Sequence, residues 1–284
     1  MSDAAGIDIL MITYNRPQYT RLALERLLAT CDEHMRVWIW QNGSDAETFA
    51  LVQSLSSHPR VHKFHHSVEN KKLREPTNWL WTNAKGDFVC KVDDDCIMPD
   101  GWADTLRKAH ADAPELGVVG CWRFPDEDFV PDSAHKKIAS FAGGHRLMKN
   151  LWVEGSGYLM KRACLDRCGP LRDGESFTQY CVRVAAAGWV NGWYYPFLYQ
   201  EHMDDPRSPN SLLKTDADLQ KYLPLSAKNN GVETLAAWQA QLRRSARLLQ
   251  EAPYDVAAAS KPWRRKLGSI KKRLRALVGM KSQW

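Results

Sequence analysis

The stretch Lys85-Gly86-Asp87-Phe88-Val89-Cys90-Lys91-Val92-Asp93-Asp94-Asp95 passes from a turn through a short apolar strand into three consecutive carboxylates. Phe88, Val89 and Val92 suit a pleated, half-buried setting, and Gly86 before them and Pro99-Asp100-Gly101 after them punctuate the run. Adjacent aspartates repel one another, and desolvating them together is costly unless a cation or hydrogen bonds compensate. Hard divalent cations such as Mg²⁺ favour oxygen ligands of this kind and keep positions open for phosphate oxygens. The plain alternative is a solvated acidic turn, and the triplet alone does not choose between the two. Two other polar clusters also follow apolar runs: Thr13-Tyr14-Asn15-Arg16 after Ile7–Ile12, and Asn42-Gly43-Ser44-Asp45 after Arg36–Trp40.

The elements around these clusters alternate. Strands are expected over residues 7–12, 36–40, 61–65, 87–92, 116–122, 152–160 and 192–199, with 61–65 polar enough to lie near an edge. Helices are expected from Pro17, over Ala46–Leu55, Pro76–Ala84, Trp102–Ala111, Lys161–Cys168 and Thr178–Ala187, the first with Pro17 in its opening turn. Residues 123–151 are polar, carry prolines and glycines, and read as a long functional loop. This alternation implies an α/β fold with a mostly parallel central sheet and helices on both faces. Ligands of such sheets bind beyond the carboxyl ends of the strands. The clusters at 13–16, 42–45 and 93–95 all sit at such ends and are expected to converge, which argues against the solvated turn.

The chain has 284 residues, 44% hydrophobic and 25% charged, as in a soluble globular protein of one large domain plus an extension. Its seven scattered cysteines form no metal-ligand framework and read as free thiols. The N-terminus lacks the pattern of a signal peptide, and no apolar run approaches a membrane span. Nine cations and no acid fall after residue 260, so residues 1–260 carry −3 of the chain's +6. That asymmetry argues against a whole-protein nucleic-acid binder and points to a tail with its own partner.

In order along residues 7–202, the motifs resemble those of nucleotide-sugar glycosyltransferases of the GT-A fold, family-2 type. Thr13-Tyr14-Asn15-Arg16 is similar to that family's opening loop, Asn42-Gly43-Ser44 to its Asp-Gly-Ser turn in neutral form, and Asn70, Arg74 and Asn78 to its Asn…Arg-Asn segment. Gly86-Asp87-Phe88-Val89 leading to Asp93-Asp94-Asp95 is close to its strand and Asp-x-Asp motif, and Gly155–Arg162, Arg183 and Gly188 echo its acceptor half. The resemblance implies a Mn²⁺- or Mg²⁺-dependent transfer from a nucleotide-diphosphate sugar to a glycan or lipid-linked acceptor. It makes Asp95 a metal ligand, Asp93 a ribose or metal contact, and Asp94 a nucleotide contact or support. His202 would complete the metal or phosphate site, the alternative being an ordinary surface histidine. Thr13, Tyr14, Asn15, Arg16, Asn42, Ser44, Asn70, Arg74 and Asn78 would contact the nucleotide sugar. Trp122, Trp152, Gly155 and Ser156 would face the acceptor.

One departure stands out. Aligned on Arg183 and Gly188, the family's Glu-Asp-x-Asp position holds Ser176-Phe177-Thr178-Gln179, without a carboxylate. Glu175, with Asp173 just upstream, is the expected catalytic base, and a retaining reaction without a base there is the alternative. A nucleotidyltransferase would want a glycine-rich first loop, which Thr13–Arg16 lacks; an inactive carbohydrate-binding module is weighed against by the intact triplet. The catalytic domain is expected over 1–225 and a helical extension over 226–284. In the latter, Trp263, Leu267, Ile270, Leu274 and Leu277 share one helical face opposite the cations, a pattern suited to an anionic membrane surface. The expectation is a cytoplasmic enzyme held peripherally on the inner face of the cell membrane through 261–284.

Overall fold

A computed structural model describes residues 5–259; the expected amphipathic tail at 261–284 lies outside them. The strands are β1 (Ile7–Thr13), β2 (Met35–Asn42), β3 (Val61–Ser67), β4 (Phe88–Asp93), β5 (Cys96–Ile97), β6 (Leu116–Gly120), β7 (Ile138–Ser140), β8 (Arg146–Lys149), β9 (Tyr158–Lys161), β10 (Val190–Tyr195) and β11 (Glu201–His202). The helices are α1 (Pro17–Ala29), α2 (Ala46–Leu55), α3 (Arg74–Asn83), α4 (Trp102–Asp112), α5 (Pro131–Ala134), α6 (Arg162–Cys168), α7 (Phe177–Ala186), α8 (Asp216–Tyr222), α9 (Leu225–Asn229), α10 (Leu235–Glu251) and α11 (Val256–Ala259).

Nine strands form one sheet in the order β3-β2-β1-β4-β9-β6-β10-β8-β7, and β11 pairs with β5 in a small antiparallel ribbon. Only β8 and β9 oppose the common direction of the large sheet. Every residue of β1 is buried, as a central strand covered on both faces requires. Alternation along β1 sends Ile7, Ile9 and Met11 to a core shared with α1, α2 and α4, and Leu10 and Ile12 to a second core shared with α3, α6, α7 and α10. The polar strand β3 takes the sheet edge.

Register positions the site. Parallel pairing sets Ile12 opposite both Trp40 and Asp93, and Thr13 opposite Gln41, so the three strand-end loops leave the sheet at one level. The β4 end is further clasped by the segment before β9. Gly157 N–H donates to Lys91 carbonyl at 2.8 Å, and Asp93 N–H donates to Ser156 Oγ at 2.9 Å. Gly157 has φ +63°, and a Cβ there would lie 2.0 Å from Gln200 Oε1, so both conformation and space demand glycine.

Three expectations change. Residues 123–151 are not one loop: β7 and β8 extend the sheet, and Leu147 and Met148 are fully buried. The strand expected over 152–160 begins only at Tyr158, because the preceding residues bond to β4's end rather than to a ladder. The strand expected over 192–199 stops at Tyr195, where Pro196 has no N–H to continue the pairing. Helix α10 joins the second core through Trp238, Leu242, Ala246 and Leu249. All seven cysteines are unpaired thiols, and among the described residues no helix is long and apolar enough to cross a membrane.

His110 on α4 is buried beside the Phe88 ring, its Nε2 3.2 Å from Leu159 carbonyl. Burial, with Lys161 nearby, pushes it down to about 3. A histidine depressed below its ordinary value takes up its proton first in the unfolded chain, so its contribution is complete above pH about 6.5 and is lost as pH falls toward the folded value. Thermal melts from pH 7 to 5 are expected to decline less steeply for His110→Leu than for the parent chain; equal slopes would remove this residue from the acid response.

Candidate active site

Asp93 ends β4, Asp94 and Asp95 form the turn into β5, and the β5–β11 ribbon brings back the segment 201–208. Met203 N–H donates to Asp95 carbonyl at 2.8 Å, which seats this segment against the triplet. Residues 202–205 close a turn, with Asp205 N–H donating to His202 carbonyl at 2.9 Å; Met203 is fully buried in the core, and His202 and Asp204 are buried beside Asp95. Asp95, His202 and Asp204 thereby offer three donor atoms within 4.8 Å of one another, all three residues buried. His202 Nε2 lies 4.0 Å from Asp95 Oδ2.

The guanidinium of Arg16 closes this cluster. It donates to Asp204 Oδ1 at 2.8 Å and Oδ2 at 2.9 Å, to Asp95 Oδ2 at 2.9 Å and to Asp94 Oδ1 at 3.3 Å. Arg16 is the N-cap of α1 but gives its helix no side-chain cap, being spent on the carboxylates. Tyr14 N–H and Thr20 Oγ1 donate to Asp94 Oδ2 at 3.1 and 3.3 Å.

The electrostatics are those of crowded acids. Burial would push Asp95 up, but Arg16 and His202 outweigh it and hold this carboxyl well below the usual range. Burial, then the charge of Asp95, drives Asp204 far up, and the two carboxyls are hydrogen-bonded to each other. Burial also raises Asp94, to about 6, against the pull of Arg16. Burial and then Arg123 lower His202 to about 4, leaving a neutral imidazole, the form that ligates metals. Two carboxylates suit a hard divalent cation such as Mn²⁺, and a neutral imidazole can complete the set, so the residues present fit the expected metal.

A second layer braces the cluster. Arg123, just beyond β6, pairs with Glu154 at 2.6 Å and approaches both ring nitrogens of His202 at 3.1 and 3.2 Å. The Lys91 ammonium, buried in β4, pairs with Asp93. Trp238 Nε1 on α10 donates to Asp204 carbonyl at 2.7 Å, and Tyr19 OH donates to Met203 carbonyl at 2.8 Å. Arg207 binds Asp205, Asp128 and Glu127.

The other expected site residues fall in distinct places. Thr13 hydroxyl donates to Gln41 Oε1 at the strand ends. Asn42 is buried: its Oδ1 accepts from Lys71 N–H at 3.0 Å and its Nδ2 donates to Lys72 carbonyl at 3.1 Å, tying the β2 end to the 70–72 turn. Tyr14 and Ser44 are exposed, and Asn15 sits at φ +50°. Asn70 Oδ1 accepts from Lys72 N–H within the same turn, at 2.8 Å. Asn78 exchanges two hydrogen bonds with Leu171, each 3.0 Å. Arg74 reaches Asp173 at 3.6 Å, and Asp173 is fully exposed. Gly155 and Ser156 lie beside Lys91 and Asp93, and Trp152 packs half-buried on the second core.

Two assigned residues meet competing partners in this geometry. Trp122 is 1% exposed, stacked on Phe197 at 4.6 Å and edge-on to Trp193, so no ring face is free for a sugar. Glu175 is forked to Arg183 at 2.6 and 3.0 Å and accepts Arg172 N–H at 3.0 Å. Burial would raise it, but Arg183 prevails and holds it below its ordinary value. A carboxylate so committed is a weak proton acceptor and braces the turn before α7. Conversely, Asp204, Arg123 and Lys91 were passed over. Only Asp204 had a legible signal, its place two residues after His202.

The profile of the family described as Glycosyl transferase family 2 matches residues 8–169. The O-antigen biosynthesis protein RfbC of Myxococcus xanthus is 29% identical over 147 residues, 48% of this chain and 11% of that protein, so the chain spans about a tenth of the relative's length. Among solved structures, the mannosyltransferase PcManGT from Pyrobaculum calidifontis in complex with GDP-Man and Mn²⁺ is similar at TM-score 0.58 and 17% identity, over 99% of this chain and 85% of that one. GalNAc-T7 with UDP, GalNAc and Mn²⁺ is similar at TM-score 0.56 and 9% identity, over 71% and 44%. TarS of S. aureus, residues 1–349, is similar at TM-score 0.51 and 15% identity, over 85% and 80%. The fold is thus GT-A, as expected.

Proposed function

Because this chain belongs to glycosyl transferase family 2, we propose that it transfers a sugar from a nucleotide-diphosphate sugar to a hydroxyl of a glycan or lipid-linked glycan. The observation that carries the reading is the meeting of Asp95, His202 and Asp204 at the level where three strand-end loops converge. These three residues would hold Mn²⁺, or Mg²⁺, and the cation would supply positive charge to offset the negative charge developing on the leaving group. The chain's own part is positional. Thr13, Tyr14, Asn15, Asn42 and Ser44 frame the base and ribose side, with Asn70, Arg74 and Asn78 on the adjoining turn and helix. Asp93 would contact the ribose or the metal, and Asp94, held by Tyr14 N–H, Thr20 and Arg16, would support the nucleotide site. Trp152, Gly155 and Ser156 border the acceptor side, next to the Lys91–Asp93 pair. An acceptor of cell-surface polysaccharide type is supported by the O-antigen relative. A cytoplasmic, peripheral placement on the inner membrane face rests on the charge pattern of 261–284 alone.

Incubation with a panel of GDP- and UDP-sugars is the direct test. We expect slow hydrolysis of at least one donor with Mn²⁺ or Mg²⁺ and none with chelator; a metal-loaded protein that neither binds nor cleaves any nucleotide sugar would sink the reading. For the acceptor proton, Glu175 and the exposed Asp173 are the candidates named from sequence, and the fork of Glu175 to Arg183 predicts a modest role for it. Glu175→Gln is expected to lower Tm while cutting transfer less than about tenfold, below the 10² to 10⁴ of a general base. A larger loss at unchanged Tm, together with an inverted product anomer, would reinstate it.

A further inference from the structure

Arg16 engages two of the three donor residues that a cation would use. Its Nη1 forks onto both oxygens of Asp204, and its Nη2 reaches Asp95 Oδ2, the same oxygen that faces His202. Metal coordination through these oxygens competes directly with those hydrogen bonds. A guanidinium and a dication held together in a buried site also repel strongly. Yet Arg16 is not bound to Asp95 and Asp204 alone. Asp94, secured by Tyr14 N–H and Thr20, retains a hold on it, and its guanidinium carbon lies 5.1 Å from the Tyr19 ring centroid. A fork that fits carboxylate oxygens fits phosphate oxygens equally well.

We propose that Arg16 is an exchangeable counter-ion of the metal site: it yields Asp95 and Asp204 to the cation and pairs instead with the nucleoside diphosphate, so that metal and donor bind interdependently. This rests on the metal reading given above. In the arrangement seen, Arg16 offsets the carboxylates and weakens the site for a cation arriving alone. A diphosphate supplies the replacement partner and neutralises the added charge. The coupling is reciprocal by necessity, since whatever factor the nucleotide adds to metal affinity the metal adds to nucleotide affinity.

The test is Mn²⁺ titration of the full chain, followed by the electron paramagnetic resonance signal of free Mn²⁺, alone and with saturating GDP or UDP. For the parent chain we expect weak binding that tightens by about tenfold or more with one of the nucleotides, within the usual range of coupling. Arg16→Gln is expected to bind Mn²⁺ alone about tenfold more tightly than the parent and to lose most of the nucleotide gain. Arg16→Lys, which keeps charge but not the fork, should fall between and serves if the glutamine variant does not fold. Equal or weaker Mn²⁺ affinity for both variants, with Asp95→Asn abolishing binding, overturns the exchange and leaves the metal site standing. Mn²⁺ bound by no variant under any condition overturns the metal reading and the exchange together.

Discussion

Asp95→Asn is expected to abolish detectable Mn²⁺ binding and to cut turnover of a nucleotide sugar about a thousandfold, a metal being worth several kcal/mol of charge stabilisation and each 1.36 kcal/mol a factor of ten. The substitution keeps shape and removes one charge from a crowded set, so Tm should move by only a few degrees. Arg16 retains Asp94 and Asp204 in the variant, and the Asp204 carboxyl is relieved of the neighbour that drives it up. Isothermal titration with Mn²⁺ and a coupled assay for released nucleoside diphosphate read the two effects separately. Intact metal binding with lost turnover would move Asp95 from ligand to donor contact. Asp204→Asn is expected to weaken Mn²⁺ as well, because the turn at 202–205 sets Asp204 beside His202 and Asp95.

The largest stability effect is expected at Asp8. Its carboxylate is fully buried in β1 and accepts from Arg36 Nε and Nη2, each at 2.8 Å, and from Trp38 Nε1 at 2.8 Å. It accepts also from Lys85 and Gly86 N–H at 2.9 and 2.7 Å. These donors come from β2 and from the turn that starts β4, so one carboxylate ties the beginnings of the three strands whose ends form the site. Removing one partner of such a buried set costs about 3–5 kcal/mol. Asp8→Ala should therefore remove a large share of a margin of about 5–15 kcal/mol, read as a lower guanidinium midpoint, with soluble yield falling in step. A change under about 1 kcal/mol, the scale of a single net hydrogen bond, would show that Arg36 and the turn find other partners. Gly86 is part of this arrangement, since a Cβ there would stand 2.7 Å from Gly6 carbonyl.

Much of the architecture was legible from local pattern. The apolar run of β1, the proline opening α1, the bounds of α2 and the strand feeding the aspartate triplet depend on neighbours in sequence, and the strand-end position of 13–16, 42–45 and 93–95 follows from alternation alone. The sheet's outer half was not. Residues 138–149 look polar and broken, and become strands only because β10 offers Met148 and Leu147 an edge beside an apolar core. The same limit governs the site. The triplet could be singled out because adjacent carboxylates are costly to desolvate together, and the resemblance to the family then pointed to Asp95 within it. That Asp204 and Arg16 share it depends on the β5–β11 ribbon returning residue 204 to residue 95, a contact across more than a hundred residues. Trp122 and Glu175 meet the converse limit: their chemistry was readable from type, but Phe197 and Arg183, brought in by distant folding, already engage the ring face and the carboxylate. Residue type and period decided which groups could do chemistry; the packing of remote segments decided which of them are free to do it.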